Sequence, residues 1–255
     1  MSFFKPHNPP TNSTSLNPTA IPSKRRRELL PPLQPLKDPK DREDFRREAS
    51  WRIFRIMAEF IDGFQFLADL KKEVSFFGSA RFTEKNPHYQ EALELSRMLG
   101  KAGFTIVTGG GPGIMEAANR GASESGAESI GLNIKLPNEQ RTNKYVKRGI
   151  GFHYFFTRKT MLSASAQVYV FFPGGFGTLD EFFELVTLIQ TKKMEPIPIV
   201  LVGKDYWGSL FRWMQQEVYA KHRAIALEDM NLFTIVQSID EAYKIILKSK
   251  ERKYF

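Results

Sequence analysis

The sequence reads as an α/β protein, a Rossmann-like doubly wound parallel sheet with helices on both faces, and three observations support that fold class. After Leu70, short β-type runs alternate with helical patterns. The runs are apolar at consecutive positions, as befits strands covered on two sides. Three of them end in loops rich in Gly, Ser or Thr, and in a parallel sheet those loops share one edge. A chain of 255 residues is long enough for one such domain with a tail.

The elements follow in order. Nine of the 15 prolines fall in the first 39 residues, among Ser, Thr and Asn, so residues 1–40 read as a disordered Pro-rich basic tail. Residues 1–37 carry six Lys/Arg against the single acid Glu28, which is five of the nine excess positive charges. The run Lys24 to Arg27 reads as a solvated linker, with contact to RNA or an anionic membrane as the alternative reading, and no nucleic-acid partner is expected of the folded part. Over residues 41–70, Phe45, Ala49, Ile53, Met57, Phe60, Phe64 and Leu67 recur at steps of three and four. That spacing predicts an amphipathic helix packed on the main domain or on a second subunit, with Asp62-Gly63 a candidate break or kink.

Residues 71–250 form the predicted α/β domain. Its strands are Val74–Phe77, Phe104–Thr108, Ser129–Ile134, Val168–Phe172 and Ile197–Val202. Asn86-Pro87 is an N-cap followed by proline at the first helical position, and Gly100 and Gly103 close the helix that it opens.

Composition excludes several chemistries. Zero cysteines remove disulfides, thiolate nucleophiles and cysteine-ligated metals, and four scattered histidines offer no metal spacing. No metal or other cofactor is expected. No run of about 18 apolar residues spans a bilayer and no secretory signal opens the chain, so a cytoplasmic protein without membrane contact is expected.

The three loops are Gly78-Ser79-Ala80-Arg81, Thr108-Gly109-Gly110-Gly111-Pro112-Gly113 and Pro173-Gly174-Gly175-Phe176-Gly177-Thr178. Glycine lets backbone approach a ligand, and amide N–H groups at a helix start attract anions. Neither glycine loop fits the dinucleotide fingerprint or the P-loop, and GxSxG is missing. A monophosphate is the economical ligand.

The segment Pro173 to Glu181, PGGFGTLDE, resembles the PGGxGTxxE signature of the LOG (Lonely Guy) family, the cytokinin riboside 5′-monophosphate phosphoribohydrolases and related nucleotide 5′-monophosphate nucleosidases. TGGGPGIMEA at Thr108–Ala117 and Phe156-Thr157-Arg158-Lys159 resemble the family's other two signatures in the same order, so the likeness runs from about Val74 to Lys248. The fuller segments TGGGPGIMEAANRGA (108–122) and FHYFFTRKTML (152–162) resemble the bacterial branch more closely than the plant enzymes.

The resemblance implies hydrolysis of a nucleoside 5′-monophosphate to free base and ribose 5-phosphate. It implies Arg158 and Glu181 as the catalytic pair, and Gly174, Gly175, Gly177 and Thr178 as the phosphate cradle. Ser79, Gly110, Gly111 and Gly113 would close around the nucleotide, with Lys159, Thr187 and Glu139 as further substrate contacts. Such chemistry wants a carboxylate, because breaking the C1′–N bond builds positive charge on the ribose. Asp180 reads either as a proton donor to the base or as a charge complementing its helix dipole. Nothing marks a pyridoxal-phosphate lysine. The resemblance also implies a homodimer or higher homo-oligomer with the site near a subunit boundary. The alternative from another class is a carrier that binds a nucleotide or phosphorylated cofactor without cleaving it.

Overall fold

The computed structural model describes residues 49–135 and 142–252. The tail, the first turns of the predicted helix before Ala49, and Glu139 lie outside them. Among the described residues no helix is long and apolar enough to cross a membrane.

Helix α1 (Ala49–Ala68) precedes β1 (Glu73–Phe77), α2 (Pro87–Lys101), β2 (Thr105–Thr108), α3 (Ile114–Glu124) and β3 (Ser129–Ile134). Then come β4 (Arg148–Phe152), α4 (Phe155–Ala164), β5 (Val168–Phe171), α5 (Phe176–Gln190), β6 (Ile199–Val202), α6 (Lys204–Trp213), β7 (Thr234–Val236) and α7 (Ile239–Leu247). A π-helical stretch, Met214–Lys221, continues α6, and a 3-10 turn spans Glu228–Asn231.

All seven strands are parallel, in the order β4-β3-β2-β1-β5-β6-β7. The chain winds outward from β1 in one direction, then returns to β5 on its other side. The switch point, where a crevice opens beyond the carboxyl ends of the strands, thus lies between β1 and β5. β1, β2, β3, β5 and β6 fall on the five predicted strands, their ends displaced by at most two residues. β4 and β7 escaped the sequence reading. β4 is a glycine-containing edge strand, RGIGF, whose first residues are exposed, and β7 is a three-residue strand on the opposite edge.

The sheet is sandwiched. One face buries Phe77, Leu132, Phe152, Met161, Phe171 and Phe182 beneath α4 and α5. The other buries Phe76, Leu95, Ile106, Ile114, Val170 and Ile246 beneath α2, α3 and α7. On β5, Val168 and Val170 belong to the second face, Tyr169 and Phe171 to the first. That two-sided burial is why the strand reads as an unbroken apolar run.

α2 begins as expected, with Asn86 Oδ1 accepting from His88 N at 2.9 Å. Gly100 stays inside the helix, at a close crossing where a Cβ would collide with Ser125 Oγ, and Gly103, at φ +84°, makes the exit. α1 is unbroken at Asp62-Gly63. Gly63 serves instead as a contact point, since a Cβ there would sit 2.5 Å from Met161 Sδ on α4. The face of α1 turned to the domain runs through Glu59, Phe60, Gly63 and Leu67, whereas Ile53, Met57 and Phe64 of the predicted stripe are exposed. α1 is apolar on two sides, and periodicity alone does not say which side is covered.

Candidate functional site

The loops after β1, β2 and β5 meet at the switch point and are tied to one another. Ser79 N donates to Pro173 O at 3.0 Å, joining the first loop to the third. Ser79 O accepts from Ile114 N at 3.1 Å, joining it to the start of α3. Gly113, at φ +73°, has no room for a side chain: a Cβ would collide with the Ser79 carbonyl oxygen. Gly174 is packed as closely against Thr178 Oγ1, and Tyr206 Oη donates to its carbonyl at 2.6 Å. One serine thus holds the two glycine loops side by side.

Behind them a buried polar network stiffens the second loop. Thr108 Oγ1 accepts from Gly110 N and donates to Asn119 Oδ1, while Asn143 Nδ2 donates to both Gly111 O and Asn119 Oδ1. These asparagines carried no motif in the sequence, and their role appears only in the packing.

Between the loops lies a cleft of about 740 Å³, in the size range of small-molecule sites. The third loop lines it with Gly174, Gly175, Gly177 and Thr178; the first contributes Ser79 and Arg81. α4 adds Phe155, Arg158 and Lys159, and α5 adds Asp180 and Glu181. A Cβ at Gly175 or Gly177 meets nothing within 4 Å, because both face this space. α5 begins with Gly175 as N-cap and no side-chain cap, so its first amides are presented to the cleft as an anion site.

At the other end of the cleft Arg158 Nη2 stands 3.9 Å from Glu181 Oε1. Glu181 is 5% exposed, and burial pushes its carboxyl up to about 7, the nearby Lys159 and Arg158 charges only partly opposing the rise. Burial likewise lowers the Arg158 guanidinium despite Glu181 beside it. Glu181 Oε2 and Arg158 Nε are both buried without a hydrogen-bond partner. Two charged groups left short of partners in a cleft have capacity for a polar ligand. Lys159 Nζ lies 2.6 Å from Asp180 Oδ2 and 2.9 Å from Glu184 Oε2 and so ties α4 to α5. Asp180 lies beyond the first turn of α5, so its partner is this lysine rather than the helix dipole.

The structure brings together Ser79, Arg158, Lys159, Gly174, Gly175, Gly177, Thr178 and Glu181. Gly110, Gly111 and Gly113 frame the cleft from behind, while Gly109 and Met115 reach its wall. Thr187, two turns beyond Glu181, is exposed outside the cleft and its hydroxyl donates to Phe183 O. Glu139 lies outside the described residues. The apolar wall of Phe77, Met115, Ile134, Phe155 and Leu162 was missed, since nothing in a sequence separates a cleft-lining apolar residue from a core one. Among the described residues no group of three His, Asp or Glu side chains is arranged to hold a metal ion.

Residues 115–246 match the protein family described as "Possible lysine decarboxylase". The chain is 31% identical over 182 residues to the cytokinin riboside 5′-monophosphate phosphoribohydrolase LOG of Oryza sativa subsp. japonica, a stretch covering 69% of this chain and 71% of that one. It is 30% identical over 155 residues to the cytokinin riboside 5′-monophosphate phosphoribohydrolase LOG7 of Arabidopsis thaliana, covering 58% and 69%. Among solved structures, the molybdenum cofactor carrier protein of Chlamydomonas reinhardtii matches with a TM-score of 0.52 at 21% identity, over 70% of this chain and 97% of that one. At that identity the likeness speaks to the fold alone.

Proposed function

Since this chain belongs to the LOG family, we propose that it hydrolyses the N-glycosidic bond of a nucleoside 5′-monophosphate, releasing free base and ribose 5-phosphate. The observation that carries the reading is the buried Arg158–Glu181 pair, short of hydrogen-bond partners, in the same cleft as the uncapped start of α5.

In this reading the 5′-phosphate sits on the amides of Gly175 to Gly177 and the Thr178 hydroxyl and fixes the register of the nucleotide. The ribose then lies toward Glu181, five residues into the same helix from Phe176. As the C1′–N bond breaks, its electron pair leaves with the base and the ribose becomes oxocarbenium-like. Ionised Glu181 stabilises that charge and takes a proton from the water that adds to C1′. With its carboxyl near 7, Glu181 can pass this proton on to the departing nitrogen. Arg158 supplies its free Nε–H to the ribose hydroxyls and balances the carboxylate when it is ionised. The apolar wall of Met115, Ile134 and Phe155 takes the base.

Lysine decarboxylation fits poorly. A Schiff-base lysine needs a neutral amine, whereas Asp180 and Glu184 hydrogen-bond the Lys159 ammonium strongly enough to outweigh its burial and raise its pKa.

We propose further that the protein is at least a dimer. Ile53, Phe54, Met57 and Ile61 make one apolar strip along α1, each between 52% and 61% exposed, with Phe155 and Phe156 of α4 also exposed.

Incubating the protein with AMP and resolving the products by chromatography tests the activity: adenine and ribose 5-phosphate are expected. R158A and E181Q should each lose at least ~10²-fold in kcat/KM, the scale of removing a preorganised electrostatic group. Bound nucleotide with no released base, across a panel of purine and pyrimidine monophosphates, would make the protein a carrier instead.

A further inference from the structure

α4, which presents Arg158 and Lys159 to the cleft, has no side-chain cap of its own: its N-cap residue is Tyr154. Its first turn is held from outside. The Glu59 carboxylate of α1 accepts from His153 N at 2.7 Å and from Tyr154 N at 3.3 Å, and the Thr157 hydroxyl donates to it at 2.6 Å. The contact is braced along the helix pair. Gly63 lets α1 approach Met161, Phe60 meets Phe156 at 6.5 Å between ring centroids, and Arg55 lies 6.0 Å from the Tyr154 ring centroid.

We propose that Glu59 is a positioning residue for the reaction: by clamping the first turn of α4 it sets where Arg158 and Lys159 stand against Glu181. This rests on the phosphoribohydrolase reading above. Two features give the clamp that consequence. Thr157, fully buried and one residue before Arg158, is itself among the groups that Glu59 holds, so slack there passes directly to the guanidinium. At its other end Arg158 is 3.9 Å from Glu181 with Nε unpartnered, and its guanidinium rests 5.6 Å from the ring centroid of Phe155, itself in the first turn of α4, so its place depends on that turn. A carboxylate on the two amides that lead into α4 moreover disfavours a second anion at this helix start. α4 is left to act through side chains, while α5 acts through backbone. α1 lies wholly before residues 115–246, the region matched to the family, so no motif in that region announces it.

The test is a double-mutant cycle on the full chain, with base release from AMP measured at enzyme excess. E59A should lower kcat about tenfold through lost orientation, with KM changed less than twofold because the phosphate contacts belong to α5. E59Q, which keeps an acceptor, should recover part of the loss, and T157V should reproduce part of it should E59A fail to fold. In an R158A background, E59A should cost well under its tenfold, because only Lys159 is then left for the clamp to place. Melting temperatures are read alongside. An E59A protein that melts earlier but turns over like wild type would reduce the contact to a stability cap and overturn the proposal. An equal loss with and without Arg158 would overturn it as well. If the wild type releases no base, the phosphoribohydrolase reading falls separately. The clamp is then judged on how fast phenylglyoxal modifies Arg158, read by peptide mass spectrometry: E59A should change that rate several-fold, and an unchanged rate would refute it.

Discussion

Replacing Glu181 by glutamine keeps the shape of the side chain and removes its titration, which makes E181Q a direct probe of the site's electrostatics. In the folded protein burial lifts this carboxyl from its ordinary 4.5 to about 7. Between those values the folded state holds a proton that the unfolded chain has released, so stability falls as pH rises. The contribution is fully present below about 4.5 and lost as pH climbs through about 7. At 1.36 kcal/mol per pH unit the whole displacement amounts to about 3.4 kcal/mol. The interval from pH 5 to pH 8 captures about 2.5 kcal/mol of it. E181Q lacks this dependence. At pH 5 the folded Glu181 carboxyl is protonated and gives Arg158 no counter-charge to lose, and the attraction it gains when ionised at pH 8 is already contained in its value of about 7. Subtracting the mutant-minus-wild-type stability at pH 5 from that at pH 8 isolates the titration, and the difference should favour the mutant by about 2.5 kcal/mol. Urea unfolding followed by circular dichroism across this range measures it. Parallel pH profiles for the two proteins would show that Glu181 is not held in a desolvated site, and the chemistry assigned to it would lose its basis. The same group predicts that kcat/KM of the wild type rises through about pH 7 as Glu181 ionises.

The glycines of the site should separate into two kinds. G113A forces a positive φ on alanine and drives a Cβ into the Ser79 carbonyl, which should cost ~2–5 kcal/mol in urea unfolding. G177A, with open space around its Cβ, should leave stability within about 1 kcal/mol and raise KM for a nucleoside monophosphate instead; a destabilised G177A or an unaffected G113A would contradict this division. Light scattering at micromolar concentration should give at least twice the 29.3 kDa chain mass, and replacing Phe54 and Met57 by lysine should shift it toward the monomer. A wild-type protein at the monomer mass would count against the α1 strip as an interface.

How much of this was legible beforehand follows from where the signal resides. Strands covered on both faces must be apolar at every position, so β5 and β6 announce themselves as VYVF and IVLV. Edge strands carry no such obligation, and β4 passes for a glycine loop. The third loop was legible as a cradle because Gly175 and Gly177 face open space, which is the purpose glycine serves at a ligand, while Gly174 makes room for Thr178. Gly110 and Gly113 misled in part: Gly110 makes room for Asn133 and Gly113 for Ser79, so they shape the cleft without lining it. Thr187 was carried over from the resemblance along a helix whose periodicity turns that position away from the cleft. Ser79, a lone serine in sequence, joins the loops through its backbone, and backbone hydrogen bonds leave no compositional trace.

Three helices begin at the edge of the cleft, and the treatment of their starts decides where a phosphate can rest. The start of α3 is taken up within the protein, its first amide donating to Ser79 O. Before α4, Glu59 accepts from the two amides that precede its first helical residue, which places a carboxylate at that start. α5 has neither a side-chain cap nor a neighbouring loop carbonyl on its first amide, and it opens with glycines on the cleft wall. A dianion entering the cleft therefore gains most at Gly175 to Thr178 and is repelled at α4, where a carboxylate already stands. Under the proposed function, a nucleotide anchored there would bring its sugar toward the face of α5 that carries Glu181, with Arg158 opposite. The two occupied helix starts thus define the binding direction as firmly as the open one does.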